Sequence, residues 1–348
     1  MSQQIPETAD EYIAEGNLLS DAEEYERAIA CYTEAIRLNP DYANTYYHRG
    51  NAYDELERYD DAVADFTEAI RLYPNDADYY NNRGTVFGKL EHYDDAITDF
   101  TEAIRLDPNE PNAYHNRGHA NNELERYEEA VADLTDAIRL SPNDPDVYCR
   151  RGYAHDELEN YDEAIADYTE AIRLNPDDPD FYNNRGISYR ELERYDEAIA
   201  DYTIAIRLNP NDSDCYTNRG ACYRCMERRD DAIADYNKAI HLNPENALAY
   251  NNRGLALSES ARYTEAISDY NEAIRLNPDC ADTYYNRGIV YDDIERYDDA
   301  VADYTTAIRL SRNDADYYHN RAIAYRALGK NAEADADLAK ARELSGEA

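Results

Sequence analysis

Glycine recurs along this chain at a fixed step of 34 residues, at Gly16, Gly50, Gly84, Gly118, Gly152, Gly186, Gly220, Gly254 and Gly288. Proline keeps the same step at Pro40, Pro74, Pro108, Pro142, Pro176, Pro210, Pro244 and Pro278. A length of 348 residues would otherwise suggest two domains. A fixed period overrides that expectation, because each unit is too small to bury a core alone and must stack on its neighbours. Ala322 occupies the tenth glycine position. The chain therefore reads as a short leader (1–8), ten tandem repeats forming one solenoid (9–344) and a short tail (345–348).

Each repeat carries two helical patterns. With positions 1–34 counted so that the glycine is position 8, the second repeat shows Tyr46, Gly50, Tyr53 and Leu56 at steps of three or four. Ala62, Val63, Phe66, Ala69, Ile70 and Leu72 follow as a second one-sided apolar stripe. Asn75 and Asp76 are cap candidates for the next first helix, and Asp60 for the second helix. Pro74 stops the second helix. Connections this short make neighbouring helices antiparallel. Alanine at positions 20 and 27 in every repeat lets paired helices approach, and tyrosine at position 4 supplies bulk between them.

These positions resemble the tetratricopeptide repeat family over essentially the whole chain. The resemblance rests on the 34-residue period, Tyr at 4, Gly at 8, aromatic residues at 11 and 24 in most repeats, Ala at 20 and 27, and Pro at 32. It implies an all-α fold, a right-handed superhelical solenoid of antiparallel helix-turn-helix repeats. First helices would line a concave groove, and the expected function is protein binding.

Position 7 departs from the family, which usually places an apolar residue there. Here it is arginine in nine repeats, from Arg49 to Arg321, and position 23 is aspartate in the same nine, from Asp65 to Asp337. The first repeat lacks both, with Glu15 and Cys31 in their places. A half-buried arginine needs a partner. Pairing with the preceding repeat would set Arg49 against Cys31, whereas pairing within a repeat orphans none. The expectation is an internal Arg–Asp ion pair that fixes helix register.

By the resemblance, positions 2, 5, 6, 9, 12 and 13 face the groove. Position 9 runs from Asn17, Asn51, Thr85, His119 and Tyr153 to Ile187, Ala221, Leu255, Ile289 and Ile323. The face thus turns from polar to apolar halfway along. Position 12 places Arg190, Arg224 and Arg326 beside the apolar half, and position 6 adds Asn184, Asn218, Asn252, Asn286 and Asn320. Asparagine can bond a peptide backbone, since it offers two donors and an acceptor. These twelve apolar, arginine and asparagine residues other than Ala221 are the expected site for an extended peptide. The other reading gives position 9 to packing between repeats, in a structural or self-assembling array, natural or consensus-like, with no specific ligand.

Acidic residues outnumber basic ones 75 to 35, a formal charge of −40. That disfavours nucleic acid and anionic membrane as partners. Expected partners are proteins or peptides, with self-association left open. Some family members clamp acidic chaperone tails, but Ile13, His48 and Asp78 stand where that clamp needs Lys, Asn and Lys. His115, His119 and Glu123 share a helix face without a fourth ligand, so no metal is expected. Cys222 and Cys225 lie inside a helix, where Cys222 replaces a small residue. No phosphate loop or nucleophile–base constellation is visible, so neither an enzyme nor a cofactor is expected. Six cysteines at unrelated repeat positions, no apolar run and no basic start followed by an apolar stretch point to a cytoplasmic protein. Arg312 replaces the repeated proline before the last repeat, and its final helix, with Lys340, Arg342 and Glu343, reads as a polar cap.

Overall fold

The structure, a computed structural model, describes residues 7–346. The expected leader and tail lie partly outside them. Twenty α-helices and no strands occur among the described residues, from Ala9–Asp21 to Asn331–Ser345. They form ten hairpins, grouped into two compact units, one ending at Pro176 and one beginning at Asp177. Each unit carries five helix pairs. No helix among the described residues is long and apolar enough to cross a membrane.

The first helix of a repeat starts where the sequence places its cap. Asp76, Asp144, Asp178, Asp212 and Asp314 each accept a hydrogen bond from a backbone N–H in the first turn. Pro111, Pro145 and Pro179 fill the first helical position, where no N–H is needed. The second helix starts differently from expectation. It begins at Tyr59 rather than after Asp60, and its cap residue Arg58 makes no side-chain cap hydrogen bond. The preceding turn explains this. Glu57 takes a left-handed conformation (φ 57°) and the Arg58 N–H donates back to the Tyr53 carbonyl at 2.9 Å. That 6→1 bond closes the first helix through backbone alone. Asp60 and Asp61 then lie in the first turn of the next helix, where its dipole favours negative charge.

The core is a repeated contact. The position-24 side chain, such as Tyr202, is fully buried between Ala198 and Ala205, themselves at 0 % exposure. Its ring lies against the position-8 glycine: a Cβ on Gly186 would sit 2.8 Å from Tyr202 Cε1. Only a residue without a side chain admits that approach. Within each unit, the first helices of successive repeats touch, whereas the second helices do not touch one another among the described residues. Each unit therefore curves with its first helices on the inner side.

Candidate functional site

The frame that carries the inner face is held by the arginines. Nine pairs, from Arg49–Asp65 to Arg321–Asp337, join position 7 to position 23 of the same repeat. In repeat seven, Arg219 Nε donates to Asp235 Oδ2 at 2.7 Å and Nη2 to Oδ1 at 2.8 Å, a bidentate fork. The guanidinium also lies near the faces of Tyr216 and Tyr223, at 5.7 and 5.8 Å from the ring centroids. Burial pushes the carboxyls of Asp65, Asp99 and Asp303 up, against the pull of their arginines.

One contact was not foreseen. The remaining Nη1 reaches back to the preceding repeat. Arg49 bonds Thr33, Arg83 bonds Thr67 and Arg219 bonds Thr203, each at 3.0 Å, while Arg253 meets Asn237 at 2.6 Å. The arginine thus closes its own hairpin and ties it to its neighbour. Threonine or asparagine at position 25 was the available signal.

On the inner face of the C-terminal unit the predicted site residues sit together but are not idle. Ile187 packs against Ala198, Tyr202 and Cys222. Ile289 packs against Ala300, Tyr304 and Ala324. Leu255 is half-buried, and Ile323 is exposed, at 50 %. The asparagines form links between repeats. Asn218 Nδ2 points to Asn183 Oδ1 (3.4 Å), Asn286 to Asn251 (3.3 Å) and Asn320 to the Tyr285 hydroxyl (2.8 Å). Asn252 Oδ1 accepts from Asn251 at 3.4 Å. Ser188 Oγ donates to the Asn184 carbonyl at 3.2 Å.

The three position-12 arginines are already engaged. Arg190 Nη2 lies 2.7 Å from Glu191 and its Nη1 3.3 Å from Asn218 Oδ1. Arg224 bonds Glu259 of the next repeat at 2.9 Å, and Arg326 meets Asp335 at 3.3 Å. Sequence reasoning missed these acidic partners and the position-5 residues beneath the asparagines. Position 13, acidic in both Glu191 and Glu259, was the signal. Below this face the buried hydroxyls of Tyr202, Tyr236 and Tyr270 have no hydrogen-bond partner among the described residues.

Elsewhere, His119 Nδ1 faces Arg150 Nη1 at 3.0 Å and Glu123 at 3.5 Å. Cys222 is buried and its thiol is pushed up to about 12, chiefly by burial, while Cys225 is exposed.

Family profiles described as tetratricopeptide repeat tile this chain. They match residues 13–77 and 149–213; 77–110, 213–246 and 281–314; 100–132 and 235–268; and 315–348. A profile described as TPR repeat adds 118–159 and 259–294. No curated protein sequence matches the chain. Among solved structures, the Cut9–Hcn1 hetero-tetramer of the APC/C shares 17 % identity at a TM-score of 0.56, over 97 % of this chain and 85 % of that one. A tetratricopeptide repeat protein from Parabacteroides merdae shares 18 % at 0.52, over 72 % and 98 %. YrrB, described as a TPR protein with an unusual peptide-binding site, shares 26 % at 0.48, over 53 % and 95 %.

Proposed function

This chain belongs to the tetratricopeptide repeat family, and from that premise we propose that it is a non-catalytic scaffold whose C-terminal unit binds an extended peptide segment along its inner face. One observation carries the reading. The frame is the same in repeat after repeat and is satisfied internally, while position 9 of the inner face changes from polar to Ile187, Leu255, Ile289 and Ile323. Apolar side chains left half-exposed on a curved surface mark an interaction site.

The stripe crosses four repeat steps. At roughly 10 Å per step it spans about 40 Å. An extended chain advances about 3.3 Å per residue, so about a dozen residues would cover it. Arg190, Arg224 and Arg326 carry their own carboxylates, so a ligand acid would have to displace Glu191, Glu259 or Asp335. Affinity should therefore come from apolar anchors and depend weakly on salt. Panning a peptide library at low and high salt tests this. Apolar peptides whose binding Leu255→Asp abolishes are expected. Lys/Arg-rich peptides that are lost at high salt and indifferent to Leu255→Asp would reject the stripe.

The packing of Ile187 and Ile289 into inter-repeat clusters favours a second reading, an array whose inner face serves itself or another copy. Light scattering behind a sizing column separates them, because self-assembly raises the mass with concentration.

A further inference from the structure

The third repeat differs from the fifth and ninth where position 12 meets position 24. In repeat five the Tyr168 hydroxyl donates to Asp156 at 2.8 Å, and in repeat nine Tyr304 donates to Asp292 at 2.9 Å. Each pair sets a side chain and a polar lid over the buried ring. Repeat three has Gly88 and Phe100 there, so both halves of the lid are absent. A Cβ on Gly88 would meet nothing within 4 Å. The result is a cavity of about 210 Å³ on the inner face of the N-terminal unit. Phe100 and Ala120, 2 % and 3 % exposed, form its base; Tyr93 and His119 also line it. An apolar cavity of about 150 Å³ already admits benzene, so one leucine or phenylalanine side chain fits here.

Thr85 lines this cavity and also a second one of about 330 Å³, whose other walls include Asn51, Asp54 and Glu55. The second is polar and acidic. Asp54 is paired with Lys89 at 2.7 Å, but Glu55 makes no ion pair among the described residues. The chain as a whole carries −40. An uncompensated carboxylate in an acidic field favours a cation.

The geometry points to a two-pocket site for a partner protein's extended segment, with an aliphatic or aromatic side chain over Phe100 and a lysine or arginine beside Glu55. Neighbouring first helices lie roughly 10 Å apart, so the two side chains stand about three residues apart in the segment. This site is separate from the stripe on the C-terminal unit and does not rest on it.

The test uses the full chain and two peptide libraries of about a dozen residues. One fixes Leu and Lys three residues apart in otherwise random sequence. The control replaces them with Ser and Glu. Enrichment of the Leu/Lys library is expected. Fluorescence anisotropy of an enriched peptide should show binding that Gly88→Asn weakens by roughly tenfold or more, by filling the cavity. Glu55→Gln should weaken it less and flatten its salt dependence. Gly88→Asn replaces a helix-interior glycine in open space, so thermal unfolding should show an intact fold. Leu255→Asp should leave this binding unchanged, which separates failure here from failure of the stripe. Equal recovery of both libraries, or equal affinity in Gly88→Asn, would overturn the proposal. So would dimerisation that Gly88→Asn abolishes without peptide binding, which assigns the cavity to a second copy.

Discussion

Arg219 and Asp235 face each other across their hairpin with two parallel contacts of 2.7 and 2.8 Å, and both side chains are nearly withdrawn from solvent, at 15 % and 10 % exposure. Removing one member leaves the other charge largely buried and unpaired. Asp235→Ala should therefore cost about 3 kcal/mol, the low end for a broken buried pair. Asp231, whose pair with Arg228 is about half exposed, should cost under about 1 kcal/mol when replaced by alanine. Denaturant unfolding compares the two variants. Each repeat contacts only its neighbours, so hydrogen exchange should rise around repeats six to eight and not at the far end of the unit. Equal losses for the two variants would remove the buried-pair account.

The same arginine makes a testable tie between repeats. Arg219 Nη1 bonds Thr203 Oγ1 at 3.0 Å, and Thr203 in turn donates to the Ile199 carbonyl at 2.7 Å. Thr203→Val keeps the shape and removes the acceptor. An exposed hydrogen bond to a charged group contributes about 1 kcal/mol. The loss should appear in the coupling between repeats six and seven, read as a broader unfolding transition, rather than in the intrinsic stability of either. An unchanged transition width would show that the tie contributes nothing.

The frame was legible because its reasons are local and repeated. Arg at 7 and Asp at 23 are present together in nine repeats and missing together in the first, so their pairing followed from the chain alone. The start of the second helix was not legible. It depends on a left-handed Glu57 and a backbone bond from Arg58, and glutamate carries no signal for that conformation. The inner face was legible by position but not by partner. Which acid holds Arg190 or Arg224 depends on the offset between adjacent first helices. That offset brings Glu259, at position 13 of the next repeat, to Arg224, whereas the same position after Arg190 is Cys225, so Arg190 turns to Glu191 of its own repeat. The open base of the Gly88 cavity was likewise hidden. Glycine at position 12 reads as one more variable residue until Phe100 is seen beneath it.

The left-handed turn residue gives a stabilising prediction. Glu193 holds φ at 57°, as its equivalents do in the other repeats up to Glu295, with Ala261 in repeat eight. The tenth repeat alone has glycine there, Gly329 at φ 75°. An L-residue loses roughly 1–2 kcal/mol in this conformation, and glycine gives back roughly 0.5–1 kcal/mol through its greater freedom when unfolded. Glu193→Gly should therefore stabilise by up to about 1 kcal/mol, and also lower the negative charge. Thermal melting checks the sign. Gly329→Glu should do the reverse in the last repeat.

Acid should act first on the N-terminal unit. Burial pushes His48, His115, His119 and His155 below the ordinary histidine value. Arg150 pushes His115 and His119 down further, while Asp144 and Asp146 pull on His115 and Glu123 on His119 in the opposite sense. A histidine depressed in the fold stays neutral where the unfolded chain already takes up a proton. Its stabilising effect is then complete above an unfolded value of about 6.5, and is lost as pH falls through that value towards the folded one. Hydrogen exchange at about pH 7.5 and about pH 5.5, corrected for intrinsic rates, should show the first helices of repeats four and five losing protection at the lower value. The double variant His115→Gln/His119→Gln should remove most of that change. If acid sensitivity in those helices persists unchanged in the double variant, carboxyl groups and not these histidines are its source.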